Sequence, residues 1–258
     1  MITRILRSRV PQTASVCLAL LFGQHASADS AKDFNTWQNK LAPLYLWGVS
    51  MSGTSTFGTN TVPLDIEFTD AVSDLEAVFT FHYEGAKGHW GIIVDYSYLN
   101  LTPKAEIPGT PVQLNVDLKN TIAEIAGLYR FGPNNPWQLL AGFRSYDLDL
   151  TVNGLPQPPA PVPQIAIKET INDFFIGGRY LRSINDKWSF IGRADIGAGD
   201  SDLVWNVLAA FDYRFTKLLS AFGGWRVLDY DVNTGSGPST FKYDMNHSGP
   251  ILALAFHW

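Results

Sequence analysis

The sequence holds a single cysteine, Cys17, so no intrachain disulfide can staple it. Charge is sparse: 17% of residues are Asp, Glu, Lys or Arg, against about 25% in an ordinary soluble domain. No apolar run reaches the ~18 residues of a membrane helix, and no segment carries a sustained helical period of about 3.6. Basic residues are outnumbered, 19 Lys and Arg against 24 Asp and Glu, which argues against nucleic acid as a partner. What is plentiful is apolar and aromatic, 46% and 13% of the chain.

The first residues carry a different signal. Arg4, Arg7 and Arg9 precede the run ASVCLALLFG, and HASADS follows with Ala26 and Ala28 spaced as A-x-A. This is the pattern of a cleaved secretory leader. The expected division is a signal peptide over 1–28 and one domain over 29–258. A run of about ten apolar residues is too short to span a bilayer as an anchor. Cleavage would take away the cysteine and three arginines, leaving a net charge of −8.

Beyond Ala28, apolar residues alternate with polar ones in segments bounded by turn residues, the signature of strands. Ten such segments are predicted: Leu41–Met51, Leu75–Glu84, Trp90–Leu101, Val112–Phe131, Trp137–Val152, Ala166–Leu181, Trp188–Gly197, Leu203–Phe215, Leu218–Val232 and Phe241–Trp258. Eight or twelve are the alternative counts. The connections alternate. GAKGH (85–89), GPNNP (132–136), SINDK (183–187) and TK (216–217) are tight; 52–74, 102–111, the proline-rich 153–164, 198–202 and 233–240 are generally longer. An even strand number with short turns at one end and longer loops at the other describes an all-β, antiparallel transmembrane barrel of the outer-membrane type.

Residue types indicate which face is outside. Leu75, Ala77, Phe79, Phe81 and Tyr83 share one face of their strand, opposite Glu76, Thr80, His82 and Glu84. Leu203, Trp205, Val207, Ala209, Phe211, Tyr213 and Phe215 oppose Asn206, Asp212 and Arg214. A small barrel cannot hold that many rings inside, so the ring-bearing face is expected on lipid and the charged face in the lumen. That phasing puts Glu76, Glu84, Asp95, Glu124, Asp173, Asp195 and Asp212 inside, with Arg130, Arg144, Arg179, Arg193, Arg214 and Arg226. Guanidinium–carboxylate pairs suit such burial. The bland expectation is a structural ion-pair network, and the alternative is a narrow polar path. Acids also crowd the long-loop ends, at Asp65, Glu67, Asp70 and Asp74 and in the pairs Asp147/Asp149, Asp200/Asp202 and Asp229/Asp231. A negative mouth would favour cations at an entrance. Without a fuller oxygen cage those pairs give no metal site.

Catalytic signatures are absent: there is no GxSxG, HExxH or cysteine–histidine pattern, and no cofactor motif. His82, beside Thr80 and Glu84 on one strand face, is a weak polar-site candidate, since i and i+2 neighbours share a face by geometry alone. An outer-membrane enzyme acting on lipid A or peptides is the alternative to a structural barrel or pore. A soluble periplasmic ligand-binding barrel is a third reading.

The stretch DIEFTDAVSDLEAVFTFHYEGAKGHWG (65–91) joins an acidic F-T-D loop to an E-x-x-K-G-x-W-G hairpin. It resembles a recurring segment of a family of Gram-negative outer-membrane β-barrel proteins. GGRYL (177–181), KWSFIGRADIGAGDSDLVWN (187–206), DYRF (212–215), GWRVLDYDV (224–232) and FKYDMNHSGPILALAFHW (241–258) continue the likeness. Two departures stand against it: Val227 occupies a position where an aromatic is expected, and Phe79 and His82 sit in a segment that is usually more aliphatic and polar. The resemblance implies an outer-membrane barrel and no activity. The end of the chain, with Leu252, Leu254, Phe256 and Trp258 on alternate positions, is similar to the C-terminal assembly signal of bacterial outer-membrane barrels. It implies outer-membrane lipid and lipopolysaccharide as surroundings and the barrel-assembly machinery as a partner.

Overall fold

The computed structural model describes residues 34–258, apart from 59, 70–74, 103, 107–112, 155–164 and 238–239. The expected leader, Asp70, Asp74 and most of the proline-rich loop lie outside the described residues. The strands are β1 (Gln38–Trp47), β2 (Ser50–Phe57), β3 (Asn60–Ile66), β4 (Leu75–Lys87), β5 (Trp90–Leu101), β6 (Lys104–Glu106), β7 (Gln113–Arg130), β8 (Trp137–Gly154), β9 (Ile165–Ser183), β10 (Trp188–Gly199), β11 (Leu203–Arg214), β12 (Leu219–Thr234) and β13 (Phe241–His257).

Neighbours pair antiparallel in the order β1-β4-β5-β7-β8-β9-β10-β11-β12-β13, and β13 pairs with β1 to close the ring. This is the expected barrel of ten strands. β2 continues β1 along β13, and β3 folds back on β2. Part of what the sequence presents as a long first loop is therefore a hairpin. Its turn signal is Gly58 at φ +59°, but β2 runs Ser50–Phe57 with serines, threonines and a glycine spread over its two faces, so the alternation is hard to see. The short β6 adds to the loop end of β7.

Between β1 and β2 the ladder breaks at Gly48 and Val49. Pro250, on the partner strand β13, has no N–H to offer, but its carbonyl accepts from Gly48 N at 2.8 Å. The backbones come so close that a Cβ on Gly249 would lie 1.7 Å from the Gly48 carbonyl oxygen.

Alternation is kept all round the ring. Outward residues include Phe174, Ile176, Ile196, Phe211, Leu252 and Phe256, each about half exposed or more. Inward residues are buried, and many are apolar: Ile93, Leu128, Leu140, Val204, Leu228 and Ile251. The interior is a packed core of mixed character, not the charged surface that phasing alone suggests. At the turn end, the first residue of a strand pairs with a tyrosine on the next strand three times over. Trp90 meets Tyr129, Trp137 meets Tyr180 and Trp188 meets Tyr213, with ring centroids 5.0, 5.0 and 4.8 Å apart.

Candidate functional site: the bridged lumen

At mid-height the centre of the lumen is Glu124 on β7. It directly faces Asp95 on β5 and Arg144 on β8 across the ladders. Two carboxylates side by side repel, so cations must come from elsewhere. Arg144 Nε donates to Glu124 Oε1 at 3.0 Å, and its Nη2 donates to Asp195 Oδ1 at 2.9 Å. Arg193, from β10, donates to Glu124 Oε2 and Asp195 Oδ2, each at 2.8 Å, and lies 3.9 Å from Asp95 Oδ2. Arg226, from β12, donates through Nη2 to Glu124 Oε1 and through Nε to Asn206 Oδ1 at 2.9 Å. Arg144, Arg193 and Arg226 thus balance Glu124, Asp95 and Asp195. Aromatic faces complete the shell: Phe175 lies 4.8 Å from the Arg144 guanidinium and 5.3 Å from that of Arg193, and Trp47 lies 4.7 Å from Arg226. All of these side chains are buried; those of Arg144 and Glu124 are 0% and 1% exposed.

The ring order gives this geometry its meaning. β12 lies opposite β7 in a ring of ten, so the Arg226–Glu124 contact spans the barrel from wall to wall. A second strut lies toward the turn end. Arg179 on β9 holds Glu84 on β4 in a fork, Nη1 to Oε2 at 2.7 Å and Nη2 to Oε1 at 2.5 Å, while its Nε donates to Gln138 at 2.7 Å. A third lies toward the loop end. Tyr146 on β8 meets Tyr243, on the opposite strand β13, hydroxyl to hydroxyl at 2.8 Å. Asn120 donates to Tyr146 at 3.1 Å, and His247 Nε2 stands 3.4 and 3.3 Å from the two hydroxyls.

The remaining predicted residues are placed elsewhere. Arg130 is in no ion pair with a described carboxylate; it donates to the carbonyls of Gly88 and Phe34 and to Gln38, and its guanidinium lies 4.6 Å from the Phe34 ring. It thereby pins the incoming chain to the turn-end mouth. Asp173 caps the β10–β11 connection, accepting from Ser201 N at 2.9 Å and Ser201 Oγ at 2.7 Å. Glu76 and Arg214 are corrections: both are exposed and sit at opposite mouths, because their strands end there. Glu76 accepts from Asn100 at 3.1 Å. Asp147 and Asp200 accept from Thr170 and Asn172, and no metal-holding cluster of His, Cys, Asp and Glu occurs among the described residues.

Two arrangements bear on catalysis. His82 Nδ1 is 2.6 Å from Asp95 Oδ1 and its ring is tilted against Tyr45, but neighbouring Thr80 accepts from Tyr45 N. At the turn end Ser220, His257 and Asp212 come together. Arg214 Nη2 lies 3.1 Å from His257 Nδ1, so that nitrogen is the acceptor and Nε2 carries the proton. Nε2 then donates to Ser220 Oγ at 2.8 Å, and Ser220 donates to Asp212 at 2.8 Å. The proton order runs the wrong way for a histidine base activating a serine.

The sequence phasing missed Lys40, which reaches Asp212 at 3.6 Å, and the Tyr146–Tyr243–His247 cluster. The cluster was legible, since Tyr146 is two residues from Arg144 and His247 is four from inward-facing Ile251; Lys40 was not, because it precedes the predicted first strand while β1 begins at Gln38.

No family model matches the sequence, and no curated protein matches it. Among solved structures, the chain is similar to the outer-membrane protease OmpT from Escherichia coli, with a TM-score of 0.51 at 12% identity over 86% of this chain and 96% of that one. The translocator domain of the autotransporter NalP from Neisseria meningitidis gives 0.44 at 11%, over 90% and 92%. The OmpT likeness is one of fold alone: a closed antiparallel barrel.

Proposed function

We propose that this chain is an integral barrel of a Gram-negative outer membrane, of the family its E-x-x-K-G-x-W-G hairpin resembles, with a sealed lumen. The observation that carries the membrane reading is the repeated tryptophan–tyrosine girdle at the turn end, below a band of exposed apolar residues. A water-exposed barrel would have no use for it, whereas the interface of a bilayer favours both residues. The turn end is then periplasmic, and the acidic loop end faces outward. The C-terminal strand serves as the assembly mark for the barrel-assembly machinery, and lipopolysaccharide surrounds the outer rim.

Three struts crossing from wall to wall at three depths support a structural barrel over an open pore. Purified protein should resist SDS until heated and shift on a gel; a chain fully soluble without detergent would overturn the membrane reading. In planar bilayers it should be silent. Steady cation-preferring conductance would overturn the seal.

A further inference from the structure

The outer wall carries a depression over β12. On β12 the outward positions Ala221 and Gly223 carry almost no side chain. The register sets Tyr213 and Phe211 beside them on β11, and Leu254 and Leu252 on β13. Two rows of large residues thus flank a floor of small ones, making an apolar groove of about 470 Å³ that runs along the strand. Leu44 and Leu46 extend its far wall, and exposed Trp225 stands beyond Gly223 toward the loop end.

The groove has a charged foot. Lys217 is in the turn joining β11 to β12, four residues before Ala221, and with Lys187 it also borders the turn-end mouth of the lumen. Lys187 precedes Trp188, with its ammonium 5.9 Å from the Tyr213 ring centroid. Arg214 is nearby, and Asp186 is the acid in the same turns, so the foot is net positive. Neither lysine is in an ion pair with a described residue. An apolar slot ending at cations, at the depth of the aromatic girdle, has the chemistry of one amphiphile: acyl chain above, anionic headgroup below.

We infer that this groove binds an anionic phospholipid of the periplasmic leaflet, with an acyl chain over Ala221 and Gly223 and its phosphate at Lys187 and Lys217. The inference rests on the membrane reading. The test uses the full mature chain folded in detergent, with heat-shifted migration on a gel as the check of the barrel. Native mass spectrometry is run with dioleoyl phosphatidylglycerol and dioleoyl phosphatidylcholine, which differ only in headgroup. The wild type should keep phosphatidylglycerol about thirtyfold better, the order two lysines at an anionic surface supply. Lys187→Gln/Lys217→Gln should erase that preference. Ala221→Leu and Gly223→Leu, each filling the floor, should lose both adducts. Equal retention of the two lipids by the wild type, or undiminished adducts in both filled variants with the barrel intact, would overturn the inference. So would a wild-type dimer that the filled variants turn monomeric, since the groove would then seat a second copy. A chain that shows no heat shift would instead defeat the membrane reading itself.

Discussion

Replacing Glu124 with glutamine keeps the size of the side chain and removes one charge. In the wild type three guanidiniums converge on this carboxylate. After the change Arg144, Arg193 and Arg226 face only Asp95 and Asp195, an uncompensated positive charge in a buried layer. At an effective dielectric of about 20, each lost contact at ~4 Å is worth about 4 kcal/mol, so three amount to roughly 12 kcal/mol gross. Most of that is offset, because the wild type carries a carboxylate desolvation cost of several kcal/mol that glutamine avoids, and glutamine still accepts one hydrogen bond. The net expectation is a loss of about 3–5 kcal/mol, the usual cost of removing one partner of a buried pair. Urea unfolding in lipid vesicles, followed by tryptophan fluorescence, measures it. The double variant Glu124→Gln/Arg226→Gln restores the balance, so its loss should fall short of the sum of the single losses by at least about 1 kcal/mol. A Glu124→Gln loss below about 1 kcal/mol, the range of exposed pairs, would refute the reasoning: the charges would be hydrated and the lumen wet.

Gly249→Ala places a methyl where the Gly48 carbonyl already stands, 1.7 Å away; the heat-shifted band should be lost or much reduced, and an unchanged band would refute the close approach. Arg179→Met should leave part-buried Glu84 without its fork and cost about 1–3 kcal/mol, whereas Glu84→Gln/Arg179→Met should recover part of it in the same urea assay. Phe34→Ala removes the ring under Arg130, and the segment before β1 should become cleavable by added protease while the barrel band persists. Arg226→Ala with Arg193→Ala removes two of the cations that cross the lumen, so conductance should appear in bilayers where the wild type is silent.

Strand existence and number were readable because the pattern of alternation is global and its phase carries meaning. Asp195 and Asn206 face each other across β10 and β11, as do Ser189 and Asp212, and each falls on the face that the phasing calls inward. The charge set was readable for the same reason. Its partners were not. Glu124 and Arg226 lie 102 positions apart, and only the closing of ten strands into a ring makes their walls opposite. Sequence spacing knows neighbours on a strand; it knows nothing of diameter or shear. Hence Glu76 and Arg214, on the right face but at strand ends, looked equivalent to Asp95 and Arg193. The apolar half of the interior was hidden for a different reason. Leu128, Leu140 and Val204 have the chemistry expected of lipid-facing residues, so they carry no sign of which way they point.

That ambiguity gives the buried charges a physical role beyond bridging. A strand whose two faces are both largely apolar can slip by one residue at little cost, and a slip exchanges its faces. In β11 the inward face is Val204, Asn206, Leu208, Ala210 and Asp212, and the outward face includes Trp205, Val207, Ala209 and Phe211. Only Asn206 and Asp212 distinguish them decisively. A slipped β11 would turn Asn206 toward hydrocarbon, with no partner for its amide, and Asp212 onto the lipid-facing girdle, and would strip Arg226 of Asn206. The same holds for β7, where Glu124 is the lone acid near mid-strand between Ile122 and Ala126. Glu124, Arg144, Asp195 and Arg226 fix four strands in one phase because each can be satisfied only when the others point inward. Burying them together is no cheaper than an apolar core of the same volume; what it adds is a register that an apolar lumen would leave open.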